Sequence, residues 1–246
     1  MLKHYQLFSD DLSSLPTGKV LISTINAHSY NVSRHDPAFR EALQKSDVLI
    51  PDGVSITLAS RILHGKPLKK IAGADLFAHQ MARLDRTGGK VMFLGSCGPT
   101  LSKIVYRAQL EYPNVQIHVF SPPYKPEFSE EDNRAMLAAV NAFVPDVLFL
   151  GMTAPKQEKW AYRHFEQLQA GHICCVGAVF DFYAGSVKRA PQWMIRLGLE
   201  WLYRLVREPR RLWKRYLIGN AKFLWSVTTQ ALRPVESAKG EVGARA

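Results

Sequence analysis

A single aspartate stands out by position. Asp52-Gly53 follows the short apolar strand candidate Val48–Ile50 across Pro51, and no other aspartate between residues 19 and 150 follows a strand candidate so closely. A carboxylate delivered by the end of a buried strand is held firmly and partly out of water, which suits a general base. The same dipeptide is also an ordinary turn. Other polar residues occupy equivalent places. Thr24 ends the run Val20–Thr24, with Asn26 two residues on. Gly95-Ser96-Cys97-Gly98 follows Val91–Leu94 and precedes a helical pattern, so its backbone N–H groups could meet a phosphate. It matches neither the dinucleotide fingerprint nor the P-loop. Gly151 opens a stretch that reaches Gln157 and Glu158 at a helix start, and Gly177 and Asp181 follow a further run. No Asp-x-Asp occurs, the eight histidines form no metal-binding spacing, and Cys97, Cys174 and Cys175 suit neither zinc nor a disulfide framework. No metal and no cofactor is therefore expected.

The elements that must position these residues are legible as apolar runs. Strands are expected over Val20–Thr24, Val48–Ile50, Val91–Leu94, Val115–Phe120, Val147–Leu150 and Ile173–Val176. These runs are nearly continuous rather than alternating, the mark of strands buried on both faces. Helix signals lie between them: Asp36-Pro37, Gly73-Ala74-Asp75 before Leu76–Leu84, Gly98-Pro99-Thr100 before Leu101–Glu111, Ser129 before Asn133–Phe143, and Pro155 before Lys156–Gln169. The order predicts an α/β, Rossmann-like, mostly parallel sheet with helices on both faces. Such sheets bind ligands beyond the carboxyl ends of their strands, where the polar residues above collect.

The C-terminal quarter is different in kind. Between Lys188 and Arg233 there are eleven basic and two acidic side chains, a net +9 of the whole chain's +11. Four of the five tryptophans, Trp193, Trp201, Trp213 and Trp225, lie there too. Residues 1–187 are read as an α/β catalytic domain. Residues 188–246 are read as a basic, Trp-rich helical appendage of two or three helices, broken near Glu208-Pro209, with a polar, frayed end from Ser237. A basic amphipathic segment of this kind suits an anionic, partly apolar surface such as a membrane. Its aromatics suit packing on the α/β domain or on a sister subunit equally well. No apolar stretch is long enough to span a membrane and no secretory signal is visible at Met1–Ser14.

Taken together, these segments closely resemble one family. Gly177 to Pro191 leads into Gly198-Leu199-Glu200-Trp201-Leu202-Tyr203-Arg204-Leu205 and then Glu208-Pro209-Arg210-Arg211-Leu212. With Gly151 to Glu158, Asp52-Gly53 and Ala72-Gly73-Ala74-Asp75, the chain resembles the WecG/TagA/CpsF bacterial glycosyltransferases over roughly residues 20–225. The resemblance implies inverting, metal-independent transfer from a UDP-sugar to a polyprenyl-diphosphate-linked sugar, in bacterial cell-surface polysaccharide or teichoic acid assembly. It implies a peripheral enzyme on the cytoplasmic face of the membrane. Residue by residue, it implies Asp52 as catalytic base, with Thr24 and Asn26 in the active site. Gly95, Ser96, Gly98, Gln157 and Glu158 fall on the donor side. Arg204, Arg210 and Arg211 are implied to bind the diphosphate or acceptor.

Two other functions share parts of this pattern. A nucleic-acid binder would use the basic, aromatic tail, but those aromatics recur at helical spacing with Leu and Ile, so no nucleic-acid partner is expected. A nicotinamide-dependent oxidoreductase shares the element order, but Ser23-Thr24-Ile25-Asn26 stands where its glycine loop would be. Whether the chain forms a homo-oligomer is left open by these residues.

Overall fold

A computed structural model describes residues 2–65 and 68–232. Six strands form one wholly parallel sheet: β1 Val20–Ile25, β2 Val48–Pro51, β3 Lys90–Gly95, β4 Gln116–Phe120, β5 Val147–Gly151 and β6 His172–Cys175, in the order β2-β1-β6-β5-β3-β4. Alternate side chains enter opposite cores. Ile22, Ile50, Phe93, Phe149 and Cys174 pack on one face. Leu21, Leu94, Leu148, Ile173 and Cys175 pack on the other. The Rossmann-like α/β architecture expected from the runs is what the chain adopts. The strand bounds shift by a residue or two, and β4 alone is not buried on both faces. It is the outermost strand, and Gln116 and His118 stay exposed at the sheet's edge although the His118 ring stacks on Phe143.

The connections are helical. They are α1 Ala27–Ser33, α2 Pro37–Gln44, α3 Val54–His64, α4 Gly73–Thr87, α5 Gly98–Glu111, α6 Glu130–Phe143, α7 Lys156–Arg163 and α8 Val179–Tyr183. Local chemistry sets their starts. Asn26 Oδ1 accepts from the backbone N–H groups of His28 and Ser29 at 3.0 and 3.1 Å, and Ser29 Oγ accepts from Asn26 N at 2.8 Å, a reciprocal cap. Asp36 Oδ1 accepts from Phe39 N at 2.9 Å, and Ser129 and Asp132 cap α6 reciprocally. Helix α7 ends at Arg163, earlier than expected, and a 3₁₀ turn follows at Phe165–Gln167.

The basic tail forms α9 Gln192–Arg196, α10 Glu200–Arg207, α11 Pro209–Trp213, a π-helical turn at Lys214–Ile218, and α12 Gly219–Leu232. The break falls at Glu208, whose backbone (φ −133°, ψ 58°) leaves the α region that proline disfavours in the residue before it. From Pro209 to Leu232 the chain is one continuous helical run. Arg233 and the polar end from Ser237 lie outside the described residues.

The tail divides its contacts. Helix α12 packs on α1 and α3, and its Phe223 and Val227 complete a third core with Tyr30, Phe39, Leu49 and Ile56. The Phe223 ring meets Tyr30 edge-on at 5.2 Å, Tyr30 Oη pairs with Ser226 Oγ at 3.0 Å, and Gln230 Oε1 accepts from Leu2 N at 2.9 Å. Packing on the α/β domain is thus the role of this helix's inner face. Its outer face still leaves Trp225 74% exposed. Replacing Phe223 with Ala should destabilise the protein by about 3–5 kcal/mol, the range for buried Phe truncations. Chemical denaturation measures this; a loss under about 1 kcal/mol would mean that α12 is not part of the core.

Candidate active site

Two strand ends build the first half of the site. Thr24 lies opposite Ile50 in register, and Asp52 follows β2 by one residue. Asp52 N donates to Ile25 O at 2.9 Å, so the backbone under the carboxylate is fixed. Gly53 then turns the chain at φ 101°, a conformation that disfavours any side chain, and α3 begins. Thr24, Asn26 and Asp52 lie together at the ends of neighbouring strands β1 and β2. Asn26 has a second duty, because its carbonyl oxygen is occupied in capping α1. Its amide is the group that faces Asp52.

Asp52 is an unusual carboxyl. Burial pushes it up to about 6 from 3.8; the charges of Glu200 and Asp75 push the same way, while Lys70 and the Asn26 side chain oppose them. Asp52 keeps some exposure to solvent, but a carboxylate largely enclosed by protein with like charges nearby binds its proton more tightly than one in water.

The tail lies over this half. The Gly198 turn packs on the Val54 side chain of α3, and Glu200 on α10 reaches the field of Asp52. Arg215, in the π-helical turn, is drawn below its usual value by burial first; Tyr216 opposes that, Arg204 adds to it, Asp52 opposes it and Arg211 adds to it. Burial, with Arg215 adding, holds His28 near 4, so its ring is neutral at ordinary pH. Arg204 sits 5.3 Å over the Phe182 ring. Burial raises Asp181, and Arg211 and Arg204 counter it. Arg211 also pairs with Glu208 at 2.6 Å. The Nε atoms of Arg204 and Arg215 are buried without a hydrogen-bond partner among the described residues. Arg204 and Arg211 therefore gather with Arg215 and Asp181. Arg210 is exposed and enters none of these contacts.

The second half of the site lies further along the rim. The chain leaves β5 towards β6 and leaves β3 towards β4, so a crevice opens between β5 and β3. Gly95 and Gly151 face each other there in register. A Cβ on Gly95, at φ 131°, would lie 2.6 Å from Gly151 O, so only glycine fits. Ser96 follows at φ 57°, and Cys97 leads into α5 with Gly98 open on all sides. From β2 to β3 is four strand steps, about 19 Å at about 4.8 Å per step, so Gly95, Ser96 and Gly98 do not sit beside Asp52. Gln157 and Glu158 are buried beneath the rim between them. Gln157 Oε1 accepts from Met152 N and Gly177 N, both at 3.2 Å, and its Nε2 donates to Glu158 Oε1 at 2.8 Å. The pair ties the loop after β5 to the loop after β6. Burial pushes Glu158 up to about 7.

The glycosyl transferase WecG/TagA/CpsF family pattern matches residues 6–237, nearly the whole chain. The chain belongs to this family. A similar protein from Bacillus subtilis (strain 168), named N-acetylglucosaminyldiphosphoundecaprenol N-acetyl-beta-D-mannosaminyltransferase, is 30% identical over 197 residues, covering 80% of this chain and 75% of that protein. A protein of the same name from Staphylococcus aureus (strain MW2) is 26% identical over 243 residues, covering 97% and 91%. The chain is thus a glycosyltransferase on this fold. Among its described residues no helix is long and apolar enough to cross a membrane. No group of three or more His, Cys, Asp or Glu gathers among them as a metal site would.

In this glycosyltransferase several groups around Asp52 carry no motif of their own. Arg215 and Lys70 are ordinary members of basic stretches, and His28 is an isolated histidine. Glu200 and Asp75 stood inside the family-like segments, which was the available signal.

A raised carboxyl has a consequence for stability. The folded protein holds the Asp52 proton more tightly than the unfolded chain does. Ionising it therefore destabilises the fold as pH rises from about 3.8 to about 6. Asp52→Asn should stabilise the enzyme by about 3 kcal/mol at pH 8, raising the melting midpoint by about 6–12 °C. The gain should vanish near pH 4. Melting curves across pH check it; an equal shift at both pH values would place its origin elsewhere.

Proposed function

We propose that this glycosyltransferase moves a sugar, with inversion and without a divalent metal, from a UDP-sugar to a sugar carried on a polyprenyl diphosphate. Asp52 is the base. The observation that carries this reading is a carboxyl fixed by the rim of the sheet and raised to about 6. Such a group is mostly ionised at neutral pH yet basic enough to take a proton. In the reaction the acceptor hydroxyl oxygen bonds to the anomeric carbon as its proton passes to Asp52. The bond from that carbon to the diphosphate breaks, its electron pair stays on the phosphate oxygen, and UDP departs. Thr24 and the Asn26 amide orient the reacting hydroxyl or sugar. The curated relatives are named for N-acetylmannosaminyl transfer to N-acetylglucosaminyl-diphosphoundecaprenol, so these are the substrates to assay first.

Charge on the diphosphates must be met without a metal. Arg204, Arg211 and Arg215 supply guanidinium groups, and two of their buried N–H donors have no protein acceptor. The N-terminal amides of α5, after Gly95, Ser96 and Gly98, suit the donor diphosphate. Gln157 and Glu158 support the donor side by holding its loops. Arg210 adds to the charge facing the membrane. The 1–187 unit carries the chemistry, and the segment from 188 onward closes the site and docks it on the cytoplasmic leaflet, where cell-surface polysaccharide precursors are built. Trp213, Leu217 and Trp225 are exposed on that segment beside its basic residues.

Asp52→Asn should cut turnover by roughly 10²–10⁴-fold, the usual worth of a positioned acid or base. Turnover within about threefold of the parent would reject the assignment and point to Asp181. Turnover should also survive excess EDTA; a loss restored by Mg²⁺ or Mn²⁺ would reject metal independence. The protein should float with anionic liposomes at low salt and be released as salt screens the surface charge. Failure to float at low salt would leave the tail a packing or oligomerisation element.

A further inference from the structure

Helix α3 begins two residues after Asp52 and carries an apolar stripe that the core does not use. Ile56, Ala59 and Leu63 face the third core. Val54, Leu58 and Ile62, spaced four residues apart, point the other way and remain 46%, 46% and 53% exposed. Eight residues of helix span about 12 Å. The stripe therefore runs for that length outward from the base. At its start the Gly198 turn packs on Val54, and that turn follows the exposed Leu197 and Trp193. Of the helix's own residues only Arg61 carries a full charge.

The two ends of this path differ in chemistry. Near Asp52 lies Arg215, with Arg204 and Arg211 acting on Arg215 in turn, a cationic group matched to an anion. Along α3 lies bare aliphatic surface. A ligand with an anionic head and a hydrocarbon chain satisfies both. The stripe is one side chain wide and three long, which fits a single linear chain. A stable protein interface would need about 800 Å² per partner, far more than three half-exposed aliphatic side chains present. We propose that α3 guides the isoprenoid chain of the lipid-linked acceptor away from Asp52. The proposal rests on the acceptor class given above and adds the surface that binds its lipid.

The experiment compares two acceptors in detergent solution: N-acetylglucosaminyl diphosphate on an undecaprenyl chain and on a short alkyl chain, with a UDP-N-acetylmannosamine donor. The quantity read is kcat/KM for the long chain divided by that for the short. Combining Leu58→Gln with Ile62→Gln should lower this ratio roughly tenfold, since two apolar contacts are replaced by polar ones. Leu110→Gln, an exposed leucine on α5, should leave it unchanged, and Leu58→Met with Ile62→Leu should restore it. An active parent whose ratio the Gln pair does not move overturns this inference alone, also when that pair loses liposome binding or self-association. A parent that transfers sugar to neither acceptor overturns the underlying reading, and this inference with it.

Discussion

The structure turns on a carboxylate that must be charged to work in a place that resists charge. Asp52 is lifted to the rim of the sheet by β2 and held by its backbone bond to Ile25. Burial and the neighbouring Glu200 and Asp75 raise it, while Lys70 and Asn26 keep the rise moderate. Without those opposing groups, the same burial would raise the carboxyl further. With a stronger cation beside it, the carboxylate would be too weak a base. Local stability is given up to maintain this balance, as is common where a fold carries chemistry.

The C-terminal segment meets that constraint from two directions. Helix α12 is built into the third core through Phe223 and Val227, which fixes where the helical run from Pro209 must lie. The π-helical turn just before it then sets Arg215 beside Asp52 and His28. Upstream, α10 brings Glu200 and Arg204 over the rim. One element thus anchors the segment, and its neighbours carry the charges that surround the carboxylate. The exposed aromatics are those that neither task uses.

Much of this was legible as residues. Strands buried on both faces are continuous apolar runs, and all six lie within a residue or two of those runs. What the run Val115–Phe120 does not reveal is that β4 ends the sheet and is not buried on both faces. Helices α1, α3 and α8 carry no clear signal in the sequence: α1 and α8 are only seven and five residues long, and α3 is preceded by Gly53, which has no capping side chain. Thr24, Asn26 and Asp52 were legible because a strand end announces itself. The surroundings of Asp52 were not, since Asp75 and Arg215 reach it from segments about twenty and more than a hundred and sixty residues away. The tail shows the limit most plainly. Phe223 and Trp225 are two residues apart on one helix, one fully buried and one 74% exposed. Apolar character alone does not say which side meets the core.

The account's central claim is that a raised Asp52 carboxyl governs the chemistry, and the pH dependence of kcat/KM tests it most directly. With both substrates supplied in soluble form, kcat/KM should fall on the acid side with a single proton and a midpoint near 6, following the carboxylate that Asp52 loses on protonation. An acid limb lying near 3.8, where an ordinary aspartate titrates, or activity that stays level from pH 8 down to that point, would contradict it.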